Sequence, residues 1–127
     1  MEKIIKIDGR DVKFKATGGT MYRYKSQFAR EYIADVIELE NCRLKVPDGK
    51  GGTKTSYDMT KFSLETMYNL AWVLAKTADD TIPPPQEWLD SFDEFPIIDI
   101  WKELGELLDR NSAIDRKNVE ATAATGG

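Results

Sequence analysis

The chain has 127 residues, 41% of them hydrophobic, with three Trp, five Tyr and five Phe. That length and apolar content suit one domain with its own core and exclude general disorder. A formal net charge of −4, no histidine and a single cysteine, Cys42, exclude an internal disulfide and histidine-assisted nucleophilic chemistry.

No stretch approaches the roughly 18 apolar residues that a bilayer span needs. No secretory leader is expected at the start, because Lys6 follows only a short apolar pair. The expectation is a soluble, cytosolic protein in which Cys42 is a plain thiol. The charge is unevenly spread. Residues 1–61 carry 13 Lys/Arg against 9 Asp/Glu, a net of +4, whereas residues 79–109 carry ten acids against Lys102, a net of −9. Either the two parts meet partners of opposite charge, or they neutralise each other within one fold.

Residues 3–17 read as a β-hairpin. Ile5, Ile7, Val12 and Phe14 alternate with Lys6, Asp8, Lys13 and Lys15, and Asp8-Gly9 is a strong turn signal. Gly18-Gly19 ends it. A helix is expected over about 21–40, capped by Thr20, with Met21, Tyr24, Phe28, Tyr32, Val36 and Leu39 at spacings of three and four. Residues 44–57 break the pattern and read as a flexible loop around Pro47-Asp48-Gly49-Lys50-Gly51-Gly52. The loop fails as a phosphate-binding motif, since Gly52 is followed by Thr53 and not by lysine.

Asp58 or Thr60 can cap a helix over about 60–78. Its centre, Leu70-Ala71-Trp72-Val73-Leu74-Ala75, is apolar on nearly every side and should be buried all round. Phe62, Met67 and Tyr68 extend its contacts. Pro83-Pro84-Pro85 stops that helix, and Pro85 opens a short one through about Asp93 with Trp88, Leu89 and Phe92 on one face. A further stripe, Ile97, Ile100, Trp101, Leu104, Leu107 and Leu108, runs to about Arg110. Residues 111–127 lose the apolar pattern and read as a loose tail. The expected fold class is α+β, mostly α-helical: an N-terminal hairpin packed on about four helices in one domain, residues 1–110.

Marks of chemistry are missing. There is no Cys/His cluster for zinc. Acid pairs such as those among Asp90, Asp93 and Glu94 are the ordinary furniture of a solvated surface. Neither a metal, a cofactor nor a catalytic residue is assigned, and the chain is expected not to be an enzyme. What stands out is the segment Trp88–Pro96, where aromatics alternate with acids. It either anchors short helices to the core or forms the edge of a groove that grips an apolar helix of a partner.

Three stretches carry a family resemblance. Tyr68-Asn69-Leu70-Ala71-Trp72-Val73-Leu74-Ala75-Lys76-Thr77-Ala78-Asp79 resembles the central helix of tail assembly chaperones of siphophages, the long non-contractile-tailed bacteriophages, of Gram-positive hosts. Glu87-Trp88-Leu89-Asp90-Ser91-Phe92-Asp93-Glu94-Phe95-Pro96 resembles the segment that follows it there. Met21-Tyr22-Arg23-Tyr24-Lys25-Ser26-Gln27-Phe28-Ala29-Arg30-Glu31 is similar to the opening of their first helix.

The resemblance implies a chaperone of virion morphogenesis. Such a protein binds the tape measure protein, keeps it soluble, helps recruit tail tube subunits and is absent from the finished virion. The family is often made in two lengths by programmed frameshift, with the longer form reaching the tube protein. This chain would be the shorter product. Candidate partner-binding residues are Tyr22, Tyr24, Trp88, Phe92, Phe95 and Trp101. Asp90, Asp93 and Glu94 are candidates for self-association with the basic part of a second copy. No membrane partner is expected. The competing readings are a small nucleic-acid-binding regulatory protein acting through helix 21–40, and a structural tail or head-completion subunit.

Overall fold

The computed structural model of the chain describes residues 2–105, 107 and 108. Its first unit is the antiparallel pair β1 (Glu2–Ile7) and β2 (Arg10–Lys15). Ile7 faces Arg10 across a two-residue turn, Asp8-Gly9, whose φ angles of 52° and 75° are both positive. That turn matches the right-handed twist of the strands, and glycine adopts it without strain. Ile5, Ile7, Val12 and Phe14 face the core, while Ile4, Lys6, Asp11 and Lys13 face solvent. The hairpin lies where its alternation put it.

α1 (Gly18–Phe28) begins earlier than expected. Thr17 is the cap: its hydroxyl accepts from the Gly19 amide, and its own amide donates to the Thr20 hydroxyl. Thr20 is therefore the reciprocal partner in a capping box and not the cap itself. The long helix 21–40 is corrected more deeply. The chain leaves the helix at Ala29, left-handed at φ 57°, and starts again as α2 (Tyr32–Asn41). The cause is tertiary. The Tyr24 hydroxyl donates to Asp35 Oδ2 at 2.6 Å. In one unbroken helix these residues would stand roughly 16 Å apart along the axis. Folding back brings them together, and Arg30 closes the elbow with two hydrogen bonds to the same carboxylate, 2.8 and 2.7 Å. The apolar stripe survives the break because both helices turn it inward: Tyr24, Tyr32, Val36 and Leu39 are buried.

The loop expected at 44–57 is a second antiparallel hairpin, β3 (Arg43–Pro47) with β4 (Thr53–Tyr57). Asp48 organises its tip by accepting from the amides of Lys50 and Gly52, while Gly49 and Gly51 take positive φ. Its strands carry few apolar residues, so period-two alternation is faint.

α3 (Leu64–Ala78) starts at Ser63. Asp58 instead accepts from the backbone and hydroxyl of Thr60 in the lead-in, so neither caps the helix. Met67 and Leu70 through Ala75 are buried, as expected of a helix apolar on every side. α3 is the hub, packed against β2, α1, α2 and α4 (Pro85–Asp90). α4 stops short of Asp93. The last helix, α5, covers residues 97–105 and 107–108, with Ile97, Ile100, Trp101, Leu104, Leu107 and Leu108 all buried. The fold is α+β and mostly helical. It has five helices among the described residues where about four were expected, because the first divides at Ala29. The tail assigned to 111–127 lies outside the described residues.

Candidate functional site

The aromatic segment was the strongest functional candidate, and its geometry favours anchoring. Trp88, Phe92 and Phe95 form a closed triangle of edge-to-face rings with centroids 5.2 to 5.3 Å apart. Trp88 and Phe92 are buried, and Phe95 is half-buried against Tyr68 at 5.8 Å. The Arg10 guanidinium lies 3.9 Å from the Phe92 ring centre and donates to the Ser91 carbonyl, tying the segment to the first hairpin. Trp101 is fully buried and its indole donates to the Met67 carbonyl at 3.0 Å. Tyr24 is buried in the elbow.

Tyr24, Trp88, Phe92 and Trp101 are therefore core residues in this conformation and offer no surface to a partner. A Trp or Tyr gains most from burial when its polar atom finds an acceptor, as Trp101 and Tyr24 do. Of the six proposed contact residues, Tyr22 alone is well exposed, at 80%. The acids Asp90, Asp93 and Glu94 are exposed. Asp90 accepts from Gln86, and the Asp93 amide donates to Asp8.

The most strongly perturbed titratable groups belong to the elbow and have a structural cause. Burial pushes the Tyr24 phenol far up, and the bond to Asp35 pushes it further. Burial would also raise Asp35, but the Arg30 guanidinium and the Tyr24 hydroxyl outweigh it and hold the carboxyl below its usual range. All three groups are engaged with one another, so the set is a clasp and not a poised acid or base. Burial, reinforced by Asp58, raises the Cys42 thiol, which keeps it protonated. Among the described residues, no group of three or more His, Cys, Asp and Glu side chains is placed to hold a metal, and no helix is long and apolar enough to cross a membrane.

Two surface hollows among the described residues bear on function. One, of about 570 Å³, lies between β2 and the connector after α3, and mixes Arg10, Lys13, Asp11 and Asp79. The other, of about 580 Å³, is an open groove where the end of α1, the start of α3 and α4 meet. Phe28, Tyr68 and Leu89 form its floor with Pro84 and Pro85, and Glu65, Asn69 and Gln86 edge it. Phe28, Tyr68, Asn69 and Leu89 belong to the three stretches singled out in the sequence, whereas Glu65, Pro84, Pro85 and Gln86 lie outside them. No protein-family model matches the chain, and no curated protein and no solved structure matches it.

Proposed function

We propose that the chain is a tail assembly chaperone of a siphophage. It binds the tape measure protein in the host cytoplasm, keeps that long helical chain soluble, and helps bring tail tube subunits to it before leaving the finished tail. The observation that carries the reading is spatial. The three stretches that resemble the family, 21–31, 68–79 and 87–96, converge on one place in the fold. Phe28 from the first meets Trp72 from the second edge-on at 5.6 Å. Tyr68 from the second meets Phe95 from the third. Phe28, Tyr68 and Leu89 share the floor of one groove. A groove with an apolar floor walled by helices suits recognition of a partner helix. Modest, repeated contacts of this kind suit a client that must later be handed over, because avidity then replaces tight binding.

The nucleic-acid alternative loses support from the same region. Arg23 donates to Thr77, Lys25 pairs with Glu31 and Arg30 clasps Asp35, so these cations are engaged within the chain. The test is co-expression with the tape measure protein of the same phage. The expected outcome is a tape measure that is insoluble alone and soluble and co-purifying with this chain. A tape measure that stays insoluble beside abundant chaperone would overturn the reading.

A further inference from the structure

We propose that the groove between α1, α3 and α4 takes an amphipathic helix whose aliphatic stripe is flanked by lysine or arginine. The inference rests on the chaperone reading above and names the kind of client segment bound. The floor is apolar and already fixed. The Phe28 ring is held edge-on by Trp72, and the Tyr68 ring leans on Phe95. The proline wall is stiff, and the Trp72 indole pins it by donating to the Pro83 carbonyl at 2.8 Å. A floor that needs no ordering loses little entropy when a partner arrives.

The rim supplies the charge. Glu65 lines the groove on α3, and Asp90 is hydrogen-bonded to Gln86, itself in the lining. Glu87 and Glu94 are exposed on the adjoining segment. Among the described residues none of these four acids has an ion-pair partner. The cations near the Phe28 end are already taken, Lys25 by Glu31 and Arg30 by Asp35. An apolar occupant with acidic flanks would meet like charge; one with basic flanks would be steered in and held in register. Asn69 is half-buried at the edge and makes no side-chain hydrogen bond among the described residues. Its carboxamide can meet a polar group of the occupant.

A helix fits better than an extended strand. No strand residue lines the groove, so no sheet edge is there to be extended. Glu65, Tyr68 and Asn69 fall at i, i+3 and i+4, one ridge of α3 against which a second helix can pack.

The test uses the full chain and two labelled helical peptides with the same leucine stripe, one flanked by lysine and one by glutamate. Fluorescence anisotropy should show the lysine peptide binding, more weakly as salt rises, and the glutamate peptide binding about tenfold worse or less. In the double variant Glu65→Lys with Asp90→Lys, both surface changes, the preference should reverse while circular dichroism is unchanged. Equal binding of the two peptides, or an unchanged preference in the variant, would overturn the proposal. So would tighter lysine-peptide binding after removal of residues 109–127, which would make the chain's own tail the occupant. Concentration-dependent association abolished by the double variant would make it a second copy, with the same consequence. If the tape measure protein co-purifies equally with the variant, the groove is misassigned and the chaperone reading stands. If the lysine peptide binds as expected but no tape measure protein co-purifies, the chaperone reading fails and the groove stands.

Discussion

The two hairpins of this protein have the same topology and opposite ways of holding together. β1–β2 buries Ile5, Ile7, Val12 and Phe14, packs β2 against α3 and keeps its charges outside. β3–β4 leaves Leu44 45% exposed and buries little beyond Tyr57. A two-stranded hairpin is marginal by itself, so each needs an outside support. The first is supported by apolar area, the second by polar detail. The Asp58 amide bonds the Cys42 carbonyl at its base, the Tyr57 hydroxyl reaches the Trp101 carbonyl at 3.1 Å, and Asp48 ties the tip. The comparison teaches that strand content alone does not say where stability resides.

The largest expected effect lies in the first hairpin. Phe14 is fully buried, so Phe14→Ala should cost about 3–5 kcal/mol in urea melts. A loss under about 1 kcal/mol would mean that this hairpin is as loosely held as the other. In the second hairpin, Tyr57→Phe removes one buried hydroxyl bond and should cost about 1 kcal/mol. Amide exchange should quicken first at residues 53–57, leaving 10–15 unchanged.

Acid should also act on Asp58, the residue that follows the second hairpin. Hydrogen bonds from the Thr60 hydroxyl and amide hold the Asp58 carboxyl below its ordinary range. Its folded value is depressed, so its contribution is present above about pH 4 and fades as pH falls through the folded value. An NMR titration should show Thr60 and Lys61 amides shifting below pH 3.8, the ordinary value for this carboxyl. The smallest effect is expected at Leu44, where exchange for threonine should change stability by no more than about 0.5 kcal/mol.

The same contrast explains what the amino-acid order revealed. α3 and α5 are legible because their apolar positions fill whole faces, and the first hairpin because Asp8-Gly9 separates two alternating runs. The second hairpin is hidden because Leu44 and Val46 are too few to mark a face. The elbow at Ala29 is hidden for a different reason. The stripe from Met21 to Leu39 keeps helical spacing straight through it, and the break depends on Tyr24, Arg30 and Asp35 meeting in space. At the candidate site, the segment 88–96 was visible as an aromatic cluster with two possible roles. Trp88 and Phe92 are buried, the place an anchoring role needs. The groove beside them is built from Phe28, Tyr68 and Leu89, which in sequence look like any other stripe positions.

Site-specific photo-crosslinking in cells that also make the tape measure protein tests the central claim most directly. A crosslinking amino acid at Gln86, exposed at the groove, is compared with one at Leu44, exposed on the second hairpin. The account predicts a tape measure adduct from position 86 and little or none from position 44. Tape measure adducts from position 44 alone, or from neither position, would contradict it.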